Sequence, residues 1–150
     1  MKGVDSPVRI LIADDHPVVR DGLAAMLGTQ PDFEIVGEAS DGESAISLAE
    51  EVQPHVVLMD INMPSVNGIQ ATRIIHKRFP QICIIGLSMF EKGEQEKDMR
   101  EAGALYYLNK SGPSDVLIQT IRNCVKDTSI QRIPAADGGG SSSDAAGSGS

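Results

Sequence analysis

Short apolar runs alternate with segments of helical periodicity five times along this chain, and that alternation constrains the fold more than any other feature. The run Val8-Arg9-Ile10-Leu11-Ile12-Ala13 reads as a strand. So do His55-Val56-Val57-Leu58-Met59-Asp60 and Ile82-Cys83-Ile84-Ile85-Gly86-Leu87, whose almost unbroken apolar character implies burial on both faces. Residues 34–39 are less apolar and suit a strand nearer an edge, and Leu105-Tyr106-Tyr107-Leu108 makes a fifth.

The intervening segments carry helix signals. Val19, Leu23, Met26 and Leu27 share one face of a helix. Ser40-Asp41-Gly42-Glu43 has the form of a capping box, opening a helix whose Ala45, Leu48, Ala49 and Val52 align. A loop with Pro64 and Gly68 leads to a helix bearing Ala71, Ile74 and Ile75. Residues 94–102 are helical by propensity, but only Met99 and Ala102 offer a core stripe, so this helix should be short and loosely held. Its charged side reads as a solvated face. Pro113 starts a last amphipathic helix with Leu117, Ile121, Cys124 and Val125. Five strands, each followed by a helix, make a parallel sheet with helices on both faces: a doubly wound α/β fold, strand order undetermined by the pattern alone.

Composition narrows the function classes. Hydrophobic residues are 41 % and charged residues 23 % of 150, ordinary for one globular domain, and with no Trp the core rests on aliphatic side chains and Met. No run is long and apolar enough for a membrane span and the start has no secretory pattern, so a cytoplasmic protein without membrane contact is expected. A formal charge of −8 argues against direct nucleic-acid binding by this stretch of chain. Cys83 and Cys124 have no CxxC spacing and read as reduced thiols packed as small hydrophobes. Residues 1–7 read as an N-terminal extension, 8–127 as the folded domain, and 128–150, rich in Gly, Ser and Ala, as a flexible linker or added tail.

In an α/β sheet of this type the site lies at the carboxyl ends of the strands. The first strand ends in Asp14-Asp15, the third in Asp60, the fourth in Ser88, and Lys110 follows the fifth. Three carboxylates packed together repel one another unless a cation compensates, and oxygen donors without a Cys/His cluster suit Mg²⁺. Lys110 and Ser88 opposite these acids make sense if a dianionic phosphoryl group sits there, one contacting each of two oxygens. Asp60, at the end of the most apolar strand, is then the nucleophile that forms an acyl phosphate. Taken singly, each of these residues is explained as well by a turn, a cap or a solvated lysine. Only their joint placement at one end of the sheet carries the chemistry.

The chain resembles the receiver domains of bacterial response regulators across residues 8–125. The resemblance is carried by residues 8–16 ending in Asp14-Asp15-His16, by Leu58-Met59-Asp60-Ile61-Asn62-Met63-Pro64 with Gly68, by Leu87-Ser88, and by Gly103-Ala104 followed by Tyr107-Leu108-Asn109-Lys110. Asp14-Asp15-His16-Pro17-Val18-Val19-Arg20-Asp21-Gly22-Leu23 is similar to the LuxR/NarL-type branch. It implies a flavodoxin-like (CheY-like) fold with strand order 2-1-3-4-5. It implies phosphorylation of Asp60 by a sensor histidine kinase, with Mg²⁺ held by Asp15 and Asp60 directly, by Asp14 through water, and by the backbone carbonyl of Asn62. Ser88 and Tyr107 would form the switch pair, and Asn62 and Phe90 would tune dephosphorylation. Transcription control would pass through a C-terminal helix-turn-helix domain that these 150 residues do not contain, and a homodimer of the phosphorylated form is compatible with this scheme.

Some positions depart from the family pattern. Met89 is larger than the residue common after the switch Ser and would narrow access for small phosphodonors. Ser111 stands where relatives carry Pro after a cis bond; a cis bond without Pro costs about 3–4 kcal/mol, so Lys110–Ser111 is expected trans. His16 reads as a loop residue entering the first helix, and His55 and His76 as surface residues. A haloacid-dehalogenase-type phosphatase would need an acid two residues after Asp60, where Asn62 stands. A nucleotide-binding module would need a GxGxxG or GxxxxGK[ST] loop, and the chain has neither.

Overall fold

The computed structural model describes residues 6–64, 66–89 and 94–135. Five strands and five helices alternate: β1 (Val8–Ala13), α1 (Pro17–Gly28), β2 (Phe33–Ala39), α2 (Gly42–Val52), β3 (Val56–Asp60), α3 (Gly68–Arg78), β4 (Cys83–Ser88), α4 (Glu94–Ala102), β5 (Tyr106–Asn109) and α5 (Ser114–Ala135). All strand pairs are parallel, in the order β2-β1-β3-β4-β5. This is the flavodoxin-like order that the resemblance implies. The apolar runs decide it: β3 and β4 are buried at every position and lie inside the sheet, whereas β2 carries exposed Glu34 and Glu38 and takes an edge.

Alternation along the strands divides the core in two. Leu11, Ala13, Val57, Met59 and Ile84 pack with Ala45, Ala49, Ala71, Ile75 and Met99 on the face covered by α2, α3 and α4. Ile10, Ile12, Val56, Leu58, Cys83, Ile85 and Leu87 pack with Leu27, Leu117, Ile121 and Cys124 under α1 and α5. Helix α4 buries Met99 and Ala102, as its thin stripe suggests.

Helix starts follow local chemistry, with one correction. The cap of α2 is Asp41, not Ser40: its carboxylate accepts the Ser44 N–H at 2.8 Å, which holds Asp41 well below the usual carboxylate range. A true capping box opens α3 instead, where Asn67 accepts from Gln70 N at 2.9 Å and the Gln70 side chain accepts from Asn67 N. The glycine at 68 is required there, since a Cβ would collide with the carbonyl oxygen of Asp60.

The cysteines also need correcting. They are buried among apolar side chains as expected, but they are not separate thiols: Cys83 on β4 and Cys124 on α5 are joined as a disulfide, with Cα atoms 6.1 Å apart. Their 41-residue separation hid the pairing, which depends on α5 crossing β4. Nor is His55 a plain surface residue. It is half-buried, and its Nδ1 accepts the Arg9 N–H at 3.0 Å, tying the start of β3 to β1. His76 is exposed, yet its ring sits over Gly103, whose φ of 128° and lack of Cβ admit it.

Candidate functional site

The carboxyl ends of β1 and β3 lie side by side, with Ala13 paired to Met59. Asp14 and Asp60 therefore enter the same pocket as direct continuations of two buried strands. Asp14 is held from behind: its N–H donates to Ala39 O on β2 at 2.9 Å, and Arg20 Nη1 donates to its carbonyl at 2.6 Å. Arg20 also reaches Glu38 at 3.2 Å, so one side chain of α1 braces the ends of both β1 and β2. Only its place in the family-like motif hinted at this; nothing in its spacing assigns it a partner.

Lys110 is the most displaced from its isolated reading. Its side chain is 5 % exposed, and Nζ lies 2.8 Å from Asp14 Oδ2 and 3.2 Å from Asp60 Oδ1. The backbone places it there, because Lys110 N donates to Ser88 O at 2.7 Å just past the β4–β5 pairing. Burial alone would pull its ammonium down. The hydrogen bond to Asp14 and the charges of Asp60 and Asp14 outweigh burial and raise it, so it is a firm cation. The Lys110–Ser111 peptide is trans, as expected.

Asp60 is buried, and burial pushes its carboxyl up to about 6, with Lys110 opposing and Asp14 adding to the rise. Oδ1 accepts from Asn62 N at 3.3 Å and faces Lys110; Oδ2 meets no hydrogen-bonding partner among the described residues. Asp15 is half-buried beside it. A buried carboxylate oxygen without a partner, in a pocket of three carboxylates against one ammonium, fits a cation better than a closed structural network.

Ligand atoms of Asp14, Asp15, His16 and Asp60 lie within 4.8 Å of one another, and this cluster can hold a divalent metal. His16 is the member that the sequence reading set aside. It does enter the first helix, as its N-cap, but its Nδ1 lies 3.1 Å from both Asp14 Oδ1 and Asp15 Oδ1. Its neighbours in the chain were the only available signal.

Ser88 is buried one register step past Leu87, the partner of Asp60. Tyr107 pairs with Gly86 and packs on the α2/α3/α4 face, where a Cβ on Gly86 would lie 3.1 Å from its ring. Its hydroxyl is buried and meets no hydrogen-bonding partner among the described residues. Met89, next to Ser88 in the chain, is exposed, as is Asn62. Phe90 lies outside the described residues, as does the Gly/Ser-rich stretch from residue 136. No described helix is long and apolar enough to cross a membrane.

Comparisons with known proteins agree with this geometry. Residues 10–122 match the family model described as the response regulator receiver domain. The transcriptional regulatory protein LiaR of Bacillus subtilis is 43 % identical over 119 residues, 79 % of this chain and 56 % of LiaR. A LuxR-family two-component response regulator from Aurantimonas superposes with a TM-score of 0.77 at 34 % identity, over 81 % of this chain and 87 % of that one. The CheX–CheY–BeF3–Mg²⁺ complex of Borrelia burgdorferi contains a chain with a TM-score of 0.73 and 25 % identity, over 79 % and 89 %. The chain spans about half the length of the curated relatives it matches. It belongs to the response-regulator receiver family, phosphoacceptor switches of phosphorelay signalling rather than turnover enzymes.

Proposed function

We propose that the chain accepts a phosphoryl group on Asp60 from a sensor histidine kinase, in a pocket where Asp14, Asp15, Asp60 and the Asn62 carbonyl would hold Mg²⁺. The observation that carries this reading is Asp60 itself: a buried carboxylate with one oxygen toward Lys110 and the other without a hydrogen-bonding partner among the described residues. The all-oxygen carboxylate donors fit Mg²⁺, which when bound neutralises phosphoryl charge and orients the reacting oxygens.

The chain's own residues supply the rest. An Asp60 oxygen attacks phosphorus in line while the phosphorus–nitrogen bond of the phosphohistidine breaks, and the imidazole leaves with a proton from solvent. Lys110 stays charged throughout and moves its contact from the carboxylate to a phosphoryl oxygen. Ser88 supplies a hydroxyl to a second oxygen. Its backbone bond to Lys110 makes the two move together. Tyr107 then turns further into the space beside Gly86, and the surface of α4, β5 and α5 changes in response. That surface would act on a DNA-binding domain or a second copy of the chain; the similarity to LiaR, a transcriptional regulatory protein, supports an output in transcription. Asn62 and Phe90 would set the phosphoryl lifetime.

Incubation with Mg²⁺ and acetyl phosphate should yield a hydroxylamine-labile phosphoryl adduct by mass spectrometry, absent from Asp60→Asn. An unchanged adduct on that variant would sink the assignment. Repeated turnover of a phosphomonoester would favour a phosphatase instead, against the presence of Asn62.

A further inference from the structure

We propose that His16 is a specificity-determining residue of the cation pocket, its imidazole Nδ1 acting as a fourth donor that shifts preference from Mg²⁺ toward ions that accept nitrogen, such as Mn²⁺. This rests on the divalent-cation reading of the pocket and adds a residue to it.

Geometry carries the inference. His16 occupies the N-cap of α1 in extended backbone (φ −101°, ψ 108°), yet its side chain makes no capping hydrogen bond. The ring is not spent on the helix. Its backbone N–H donates to Asp14 Oδ1 at 2.9 Å, which fixes the residue against the pocket wall. Nδ1 then stands 3.1 Å from one oxygen each of Asp14 and Asp15, and within 4.8 Å of the Asp60 ligand atom. Independently, Asp60 Oδ2 is buried and has no hydrogen-bonding partner among the described residues, on a carboxylate that belongs to the same cluster.

The chemistry gives the direction. Without a cation, a proton on Nδ1 is directed to Asp14 Oδ1, while Asp15 Oδ1 stands equally near but accepts no hydrogen bond among the described residues. To ligate, the ring carries its proton on Nε2 instead, a tautomer change that solvent can relay because the side chain is 55 % exposed. Mg²⁺ gains little from imidazole and keeps its waters, whereas Mn²⁺ and the later first-row ions bind nitrogen better. The carboxylates set how tightly any divalent ion binds; His16 sets which one is favoured.

The test uses the full chain and the metals alone. Mg²⁺ and Mn²⁺ affinities are measured by calorimetry for wild type, His16→Asn, which keeps a good N-cap, and His16→Ala, which offers no ligand atom. The Mn²⁺ complex is also probed by pulsed electron paramagnetic resonance for a directly bound nitrogen. The expected result is a nitrogen coupling in wild type that both variants lose, with the Mn²⁺/Mg²⁺ affinity ratio falling about tenfold. Mn²⁺ binding without a nitrogen coupling, or an equal loss of affinity for both ions, would overturn the role of His16 while leaving the pocket intact. Failure of wild type to bind either ion would overturn the cation pocket and the role of His16 together.

Discussion

On the α1/α5 face of the sheet, a covalent bond and a charged fork hold the last helix down: Cys124 is joined to Cys83 of β4, and Arg122 grips Asp32 at 2.8 and 3.0 Å while stacking on Phe33. On the opposite face α4 hangs on Met99 and Ala102, and Gly86 leaves a notch that Met99 and Tyr107 share. The Asp32 carboxyl sits below its usual range because Arg122 donates to it, a satisfied contact; the Tyr107 hydroxyl on the other face meets no hydrogen-bonding partner among the described residues. One face is closed by fixed contacts. The other has adaptable sulfur and aromatic packing next to Ser88, where a switch needs room to rearrange.

Removing the covalent tie should give the largest effect. The disulfide closes a loop with a sequence separation of 41, for which chain entropy predicts about 4 kcal/mol. Cys124→Ala should therefore lower stability by that order in urea under oxidising conditions, together with the loss of a buried side chain. With dithiothreitol present throughout, most of the difference from wild type should vanish. Equal losses with and without reductant would show that packing alone fastens α5, and the contrast between the faces would shrink to Arg122.

Met99→Ala tests the loose side. Met99 is fully buried, its sulfur faces Thr72 Oγ1 at 3.7 Å, and its methyl group fills the Gly86 notch. Truncation should cost about 3 kcal/mol. The more telling readout is hydrogen exchange: amides of α4 should lose protection at least tenfold while those of α5 keep theirs. If α5 loosens in step, the two faces form one cooperative unit and the comparison fails.

The same contrast explains what could be read without coordinates. Strand interiors were legible because burial on both faces demands continuous apolar runs, as in β3 and β4, and because an edge tolerates Glu34 and Glu38. That α4 buries Met99 and Ala102 was legible from its thin stripe. Contacts made by tertiary approach were not: nothing in the spacing of Cys83 and Cys124 says that they meet, and Lys110 looks like a solvated lysine until Asp14 and Asp60 arrive from distant strands. Asp41 displaced Ser40 as a cap because either residue can start a helix, and only the backbone path decides which side chain reaches Ser44. The joint pattern of strand-end residues marked the pocket, but the part of His16 depends on a ring orientation that sequence does not encode locally.

The pocket between the two faces should carry a smaller, pH-dependent cost. Burial raises the Asp60 carboxyl to about 6 from its ordinary 3.8, so in the metal-free chain the folded state binds this proton more tightly than the unfolded state. The contribution is fully present below about pH 4 and is lost as pH rises through about 6. That value already contains the opposing pull of Lys110, and between pH 4 and pH 7 it corresponds to about 2 kcal/mol. Asp32 and Asp41 oppose this trend, since their lowered carboxyls add stability above pH 4, so the informative quantity is wild type minus Asp60→Asn measured with a chelator present. That difference should fall by about 2 kcal/mol between pH 4 and pH 7, leaving metal-free Asp60→Asn the more stable protein at neutral pH relative to its standing at pH 4. A difference that stays flat would mean that Lys110 fully compensates the buried charge. The pocket would then be as well satisfied as the Arg122 fork, and the room for rearrangement would lie beside Gly86, where the Tyr107 hydroxyl has no hydrogen-bonding partner among the described residues.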